Sequence, residues 1–384
     1  MVIYKAYKFR LYPTNEQQVL INKTLGCNRF VYNYYLNKKI QLYKDNKQSL
    51  SCFECNKDIP NLVKDYPFLK EIDSLSLRNS MEDLDNAYTK FFKEKKGFPK
   101  YKKKNSKNSY RTNMITSSYY GNTYANIKLD LMNKEIILPK LKKVKIRGYR
   151  NLKKIEGRII NTTITRESDN TYYVSVLYEQ DIILPSFTPS RVIGIDLGIK
   201  DLVITSAYEK YINEKYIVKY EKRINLYKRR LSKKVYRSNN YYKAKQKLAR
   251  LYKKLRNSRI FNIHKITKEI TDNNDIIVTE NLKINNMVKN HHIAKSLTDA
   301  SLSEIIRQLE YKSKWKNKQL IKIDTYYPSS QVCSVCEYKN EKVKDLAVRE
   351  YECPNCGTYH DRDFNASVNI MFEGIKKYFR KVYE

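Results

Sequence analysis

The chain begins with alternating apolar and polar positions and then changes to a helical period. Ile3, Phe9 and Leu11 fall mainly on one face of a predicted opening strand. Thr14 and Gln17 follow in the spacing of a capping box, which predicts the start of a helix that extends toward residue 45. The first elements are therefore a strand and a long helix.

A second helix is predicted to begin where Asp73 or Ser74 can act as its N-cap. Its apolar residues recur at helical spacing, which is typical of packing between helices. They are Leu77, Met81, Leu84, Tyr88 and Phe91. Charged and polar residues surround this stripe. We expect a helical segment whose apolar stripe faces other helices.

Short β-rich runs replace the helical pattern beyond residue 120. Two of them flank the turn Ser168-Asp169-Asn170, which predicts a hairpin. We infer a small β-barrel that residues 1–12 begin and residues 115–186 complete, interrupted by a helical insertion at 13–114.

A second β unit is predicted after a linker at Pro185 to Pro189. It opens with RVIGIDLGIKDLVITSA, two strands around the turn Leu197-Gly198-Ile199. Residues 219–259 have the pattern of two helices with a break near Ser238, and the later runs DIIVTE and QLIKIDTYY are predicted strands. The fold class is thus α/β together with a β-rich part.

Charge changes this picture, because the 384 residues include 76 Lys or Arg and only 40 Asp or Glu, a net charge of +36. An AT-rich genome enriches Lys, Asn, Ile and Tyr, but it does not explain the excess of Lys over Glu. Residues 90–111 carry a net +9 and residues 219–259 a net +16, with tyrosines interleaved. A solvated surface is the alternative; concentrated charge with aromatic residues favours contact with nucleic acid.

The chain is expected to be soluble and cytoplasmic. No stretch of about twenty residues is free of charge, as a transmembrane helix requires, and the N-terminus has a strand pattern rather than that of a signal peptide. In a reducing compartment the seven cysteines are predicted to be thiols or metal ligands.

Two matched cysteine pairs have the spacing of a metal site. Cys333-x-x-Cys336 and Cys353-x-x-Cys356 can present four thiolates to one tetrahedral ion, which predicts a structural zinc ribbon without an open coordination position. Incidental thiols are the alternative. Cys27, Cys52 and Cys55 have no such second pair and are interpreted as ordinary thiols.

Three dispersed carboxylates are candidates for chemistry. Asp196 interrupts an apolar strand, Glu280 ends another, and Asp363 lies at the predicted start of a final helix. If they converge on one edge of a sheet, they can bind two Mg²⁺ through oxygen. Separately, each has a simpler interpretation: a turn residue, a loop acid and an N-cap.

At these residues the sequence strongly resembles the TnpB family, transposon-encoded RNA-guided DNA endonucleases related to type V CRISPR effectors. The resemblance spans nearly the whole chain and is carried by KFRLYPTNEQ, GCNRFVYN, GFPKYKKK, GIDLGIKDL, TENLK, IRQLEYK, YPSSQVCSVC and YECPNCGTYHDRDFNASVNI.

The resemblance implies a RuvC nuclease domain of RNase H-like fold at 190–384, with a zinc ribbon inserted at 328–360. The N-terminal half would be a wedge-type barrel with a helical recognition insertion. Asp196, Glu280 and Asp363 match the catalytic, Mg²⁺-binding acids, with Asp361 ranked behind Asp363. Arg307 matches an arginine beside the active site.

The resemblance also implies a guide RNA from the transposon end, which pairs with double-stranded target DNA beside a short motif. The residues expected to contact nucleic acid are Lys95, Lys96, Lys100, Lys102, Lys103, Lys104, Arg111, Arg223, Arg229, Arg230, Lys233, Lys234 and Arg250. Candidates for reading the adjacent motif are Ser74, Arg78, Asn79 and Asn113.

Four other functions fit this sequence less well. The alternative within the same fold is a nuclease-inactive, RNA-guided DNA-binding repressor, but such proteins lose catalytic acids and this sequence keeps all three. A DNA-joining transposase would need alternating histidines, whereas His291 and His292 are adjacent. An actin-like ATPase would need a second glycine-rich loop. A simple RNA-binding zinc ribbon would leave the acids on apolar strands unexplained.

Overall fold

The structure, a computed structural model, divides the chain into two compact units, Met1–Ile182 and Ile183–Glu384. The division falls just before the predicted linker, of which Pro185 and Thr188 lie outside the described residues. The described residues are 1–104, 108–119, 122–148, 155–184, 186–187, 189–287, 289–345 and 347–383. Nothing within these ranges forms a helix both long and apolar enough to cross a membrane.

The first unit begins with one strand and a group of helices. Thr14 and Gln17 form the predicted capping box, and Asp73 is the N-cap of the third helix through a bond from the Leu75 amide. The elements are β1 (Val2–Tyr12), α1 (Asn15–Asn46), α2 (Cys52–Asp65), a 3₁₀ turn (Pro67–Glu71) and α3 (Ser74–Glu94).

The three helices pack around one apolar core. The predicted stripe on α3 lies in it, with Leu77, Met81 and Leu84 buried against α1 and α2. Cys27 and Cys55 are buried in this core, and Cys52 packs against it. Burial raises the pKa of Cys55, so this thiol is held in its neutral form, as expected for a packing residue.

A seven-stranded antiparallel sheet forms the rest of the first unit, in the order β2-β8-β9-β1-β7-β6-β5. The strands that follow α3 are β2 (Asn108–Asn113), β3 (Thr116–Tyr119), β4 (Asn122–Ala125), β5 (Lys128–Asp130), β6 (Glu135–Leu138), β7 (Lys142–Arg147), β8 (Arg158–Arg166) and β9 (Tyr172–Asp181). Strands β3 and β4 pair only with each other.

Two details of the predicted barrel differ from the structure. Within the described residues, β2 and β5 are edge strands of an open sheet, because alternation along single strands says nothing about closure. The sheet also resumes at Asn108 rather than at 115. Strand β2 reads NSYRTN, and its polar composition hides the alternation by which Tyr110 and Thr112 are buried.

The second unit is built on a five-stranded sheet in the order β12-β11-β10-β13-β14. Strands β10, β13 and β14 are parallel, and β11 is antiparallel to both of its neighbours. This is the arrangement expected of an RNase H-like fold. The strands are β10 (Val192–Asp196), β11 (Asp201–Thr205), β12 (Lys210–Ile212), β13 (Ile276–Thr279) and β14 (Gln319–Lys322).

Helices cover this sheet, and a small hairpin precedes the last of them. The predicted break near Ser238 is observed, because this side chain accepts a hydrogen bond from the Tyr241 amide at the start of α5. The elements are α4 (Tyr216–Ser232), α5 (Asn239–Asn273), α6 (Ile284–Met287), α7 (His291–Ala300), α8 (Leu302–Trp315), a 3₁₀ turn (Glu341–Lys344), β15 (Glu350–Glu352), β16 (Tyr359–Asp361) and α9 (Arg362–Tyr383).

Candidate active site and metal centre

Two of the three predicted acids lie side by side at one edge of the five-stranded sheet. Asp196 is the last residue of β10, and Glu280 directly follows β13. The parallel register pairs Ile195 with Thr279, so the next residue on each strand is at the same level. In open α/β sheets, ligands bind beyond the carboxyl ends of the strands.

Helix α9 brings the third acid, Asp363, to this edge in its first turn. Two glycines allow the helix to lie directly on the strands. A Cβ at Gly194 of β10 would overlap the Ser367 carbonyl of α9, and a Cβ at Gly374 of α9 would overlap the Val278 side chain of β13. Because neither glycine has a side chain, α9 can pack in direct contact with β10 and β13.

The three carboxyl groups influence one another electrostatically. Desolvation, together with the negative charges of Glu280 and Asp363, raises the pKa of Asp196 to about 8. A hydrogen bond from the Leu197 amide and the charge of Arg362 oppose this rise only in part. Such a concentration of negative charge is relieved by a bound cation.

Glu280 opens onto a pocket of about 510 Å³ that also contains Arg307. Its Oε1 accepts a hydrogen bond of 2.6 Å from the hydroxyl of Ser329. Glu304 accepts two bonds from Arg307, 2.8 Å from Nε and 2.7 Å from Nη2. Arg307 is thus held at the wall of the pocket that Glu280 also lines.

Asp361, the second-ranked acid, has its oxygens engaged elsewhere. Its Oδ1 accepts bonds from the amides of Asp363 and Phe364, both 3.0 Å, and its Oδ2 bonds Lys210 at 2.7 Å. Burial opposes ionisation of Asp361, but these bonds lower its pKa. The structure therefore uses Asp361 to begin α9, whereas the Asp363 carboxylate has Arg349, at 3.4 Å, as its one side-chain partner among the described residues.

The four predicted cysteines form a compact cluster. All four sulfurs lie within 4.8 Å of one another, with Cys333 3.7 Å from Cys356 and Cys336 3.6 Å from Cys353. Zn–S bonds of about 2.3 Å place tetrahedral sulfurs about 3.8 Å apart, so the cluster fits zinc.

Across the described ranges, no other group of three or more Cys, His, Asp or Glu is close enough to share one ion. The carboxylates at the sheet edge therefore do not enclose a single ion in this structure. A pair of cations about 3.5–4 Å apart requires a wider arrangement. The chemistry of three carboxylates suits Mg²⁺, which prefers oxygen ligands and keeps several waters.

Sequence reasoning missed the residues that connect these two sites. Ser329 contacts Glu280, and Asn365 and Asn369 of α9 bond the backbone that precedes Cys333. His360 places its Nε2 3.1 Å from the Cys333 sulfur. All four lie inside the motifs YPSSQVCSVC and YECPNCGTYHDRDFNASVNI, but only tertiary contacts distinguish them from their neighbours.

Most of the predicted nucleic-acid-binding residues are exposed. Exceptions are Lys102, which pairs with Asp83 at 3.0 Å and covers the Tyr32 ring, and Arg111, which pairs with Glu82. The exposed ones are Lys95, Lys96, Lys100, Lys103, Lys104, Arg223, Arg229, Arg230, Lys233, Lys234 and Arg250.

The candidates for motif reading differ in exposure. Ser74 and Arg78 are exposed one turn apart on α3, and Asn113 is half-buried at the end of β2. Asn79 is buried: its amide nitrogen bonds the Leu75 and Arg111 carbonyls, and its oxygen accepts from Arg111 Nε. These bonds occupy the Asn79 amide group and join α3 to β2.

The fold and the site together define a class: an RNase H-like protein with carboxylates at one edge of its sheet, a cluster of four cysteines and strongly basic helices. A solved Cas12f1 chain, from a complex with sgRNA and target DNA, has this fold; the match has a TM-score of 0.51 at 15% identity and covers 96% of this chain and 99% of that one.

Sequence comparison identifies the family. A putative RNA-guided DNA endonuclease of Streptomyces pristinaespiralis is 32% identical over 97% of this chain and 89% of its own length. The putative RNA-guided DNA endonuclease InsQ of Escherichia coli K12 is 30% identical over 74% of this chain and 68% of its own. The chain belongs to the TnpB family.

Three family models match separate ranges. They are described as a helix-turn-helix domain (1–48), a probable transposase (175–291) and a Cas12f1-like TNB domain (303–370). The first description does not correspond to a helix-turn-helix here, since residues 1–48 hold β1 and the single helix α1. The third range includes Arg307 and all four clustered cysteines.

Proposed function

We propose that this protein is an RNA-guided DNA endonuclease that cuts target DNA beside a short transposon-associated motif. The observation that carries the proposal is the meeting of Asp196, Glu280 and Asp363 at one sheet edge, with a raised pKa at Asp196. The names of the relatives and the Cas12f1-like fold support it.

In this proposal the three acids would hold two divalent cations, which would supply Lewis-acid assistance to hydrolysis of the phosphodiester. The Ser329 hydroxyl occupies Oε1 of Glu280, and among the described residues no partner is found for Oε2, which could then bind a cation. Arg307 uses Nε and Nη2 to bond Glu304, and no partner for its Nη1 is found in the part of the chain that the structure describes. This nitrogen can donate to the scissile phosphate.

The Cys₄ cluster is proposed to hold one structural Zn²⁺. Its four thiolates fill a tetrahedral shell, so the ion would take no part in the chemistry. Zinc would fix the hairpin of β15 and β16 to the turn that contains Cys333 and Cys336.

The exposed basic residues are proposed to bind the guide RNA and the RNA–DNA heteroduplex, and one RuvC-type site would cut both strands in turn. Helix α4 and the first half of α5 carry four of these residues, and Lys233 and Lys234 follow the end of α4. For the adjacent motif, exposed Ser74 and Arg78 remain the stronger candidates.

The test is to purify the protein from a host that expresses its locus and to sequence the RNA that copurifies. The complex is then incubated with Mg²⁺ and plasmids that carry the matching target beside randomised flanks. Depletion of one flanking motif by the wild type, and not by Asp196→Ala, is the expected result. Motif-dependent binding without cleavage would indicate the nuclease-inactive repressor, and no discrete RNA would contradict guided function.

A further inference from the structure

Ser329 makes a short contact with the proposed active site from outside it. Its hydroxyl lies 2.6 Å from Glu280 Oε1, and the residue is only 6% exposed. Its amide bonds the Tyr327 carbonyl at 2.9 Å, which closes a tight turn after β14. A buried hydroxyl on a constrained turn has little freedom to point elsewhere, so it fixes one oxygen of the carboxylate.

The turn that carries Ser329 is also attached to α9. Asn369 Nδ2 bonds the Ser329 carbonyl at 2.7 Å and the Val332 carbonyl at 2.6 Å. Asn365, one turn earlier, bonds the same Val332 carbonyl at 2.7 Å and accepts from the Ser334 amide at 2.9 Å. Cys333, the first sulfur ligand of the proposed zinc site, lies between these two anchored residues.

Residues 329–334, here called the connecting segment, are thus bonded on both sides. One end contacts Glu280, and the other contains Cys333 and is clamped by α9, the helix that also carries Asp363. The segment that supplies Cys333 to the Cys₄ cluster is therefore hydrogen-bonded both to Glu280 and to the helix that carries Asp363.

We infer that Ser329 is a positioning residue for Glu280, and that the connecting segment makes divalent-cation binding at the sheet edge depend on an ordered Cys₄ cluster. This inference rests on the proposed nuclease function and adds a coupling between its two metal sites. Groups that hydrogen-bond a metal ligand orient it, and their removal lowers metal affinity or activity by about 10–100-fold.

The first experiment compares Ser329→Ala with Ser330→Ala in the full chain with its bound RNA. Ser330 is the matched control, since it is the adjacent serine and no side-chain bond involves it among the described residues. Mn²⁺ binding is measured by calorimetry, and the Mg²⁺ concentration for half-maximal cleavage by a titration. We expect Ser329→Ala to weaken both about tenfold, Ser330→Ala to match the wild type, and zinc content to stay unchanged in each.

Two further variants separate positioning from folding. Ser329→Thr keeps the hydroxyl and should bind Mn²⁺ as the wild type does, whereas Ser329→Cys keeps the volume but offers only a weak donor and should bind it less tightly. Circular dichroism checks that each variant is folded. If Ser329→Ala fails to fold, Ser329→Cys decides the question alone.

The reverse direction is tested with Cys353→Ser/Cys356→Ser. This variant should lose zinc and also Mn²⁺ affinity, although neither cysteine contacts a carboxylate of the sheet edge in the contacts described. The inference would be overturned if the zinc-free variant kept its Mn²⁺ affinity, or if both Ser329→Ala and Ser329→Cys kept theirs. In either case, cleavage by the wild type would leave the proposed function intact. Absence of cleavage by the wild-type complex would instead overturn the proposed function.

Discussion

Asp361 and Asp363 are two residues apart, yet their surroundings differ. Asp361 accepts two amide bonds at the start of α9 and pairs with Lys210, whereas exposed Arg349 is the one partner of the Asp363 carboxylate within the described ranges. A carboxylate already saturated by donors has less capacity for a cation. The residue with fewer partners is the better candidate for a metal ligand.

Replacing each by asparagine should separate these roles. Asp363→Asn should lower guided cleavage by at least about a thousandfold, since a lost metal ligand removes several kcal/mol of transition-state stabilisation. Asp361→Asn should cleave within a few-fold of wild type, because asparagine is also a good N-cap. The measurement is single-turnover cleavage at saturating Mg²⁺; an inactive Asp361→Asn would identify Asp361 as the ligand.

The raised pKa of Asp196 predicts a pH-dependent stability. The folded state binds this proton up to about pH 8, whereas an unfolded Asp releases it near pH 4, so the carboxyl destabilises the fold as pH rises through this interval. Without divalent cations, the free energy of unfolding of Asp196→Asn should rise by about 4 kcal/mol relative to the wild type between pH 5 and pH 9.

Urea unfolding across this pH range, with and without Mg²⁺, measures the difference. Mg²⁺ should stabilise the wild type more than the variant, because it binds the ionised carboxylate. The same substitution at exposed Asp65 is the control. If the free energies of unfolding of the wild type and of Asp196→Asn change in parallel from pH 5 to pH 9, the electrostatic interpretation is refuted.

At the scale of elements, α9 depends on glycines where it crosses the sheet. Gly374 lies on its sheet-facing side, directly over Val278 of β13, and Gly194 admits the helix backbone from the strand side. Contact between a helix and a strand at this distance leaves no room for a methyl group. The position of Asp363 therefore depends on how α9 packs on the sheet at these two glycines, and not only on the residues around Asp363 itself.

Two helical glycines with opposite surroundings test this packing. Gly374→Ala should lower the free energy of unfolding by about 1–3 kcal/mol, as overpacking does, and should reduce cleavage by shifting α9. At Gly26, in α1, an added Cβ would meet nothing closer than 4.0 Å. Gly26→Ala should therefore raise the free energy of unfolding by about 0.5–1 kcal/mol through helix propensity. Chemical denaturation measures both; a tolerated Gly374→Ala would show that α9 can move away.

At the scale of the whole molecule, charge is the dominant feature. Of the net +36, the segment 219–259 alone contributes +16, and the structure forms it into α4 and most of α5. Arg229, Arg230 and Lys233 are exposed at the end of α4. Binding of a polyanion there should release counterions and be sensitive to salt.

The triple variant Arg229→Gln/Arg230→Gln/Lys233→Gln should bind the copurified RNA with a weaker salt dependence. Each lost phosphate contact reduces the slope of log K against log salt by about 0.7–0.9, so a decrease of about 2–3 is expected. Lys268→Gln is the control, because Asp272 already neutralises that lysine at 2.7 Å. An unchanged slope in the triple variant would exclude this surface from RNA binding.

Local patterns were sufficient for much of the fold. The capping box at Thr14 and Gln17, the hairpin at Ser168–Asn170 and the break at Ser238 are all formed as predicted. In each case residues within four positions of one another supply the partners. Strand β2 was not predicted, because its polar residues hide the alternation of buried and exposed positions. Closure of the sheet could not be judged from single strands, because it depends on pairing between distant strands.

The sequence by itself determined the chemistry that is available: four cysteines in matched pairs, three acids beside apolar segments, and two strongly basic segments. Only the tertiary structure decided which of these groups meet. The register of β10 with β13, the close approach of α9 at two glycines, and the bond from Ser329 to Glu280 join residues between 49 and 173 positions apart. No periodicity encodes such contacts, because they depend on how already formed elements pack against one another.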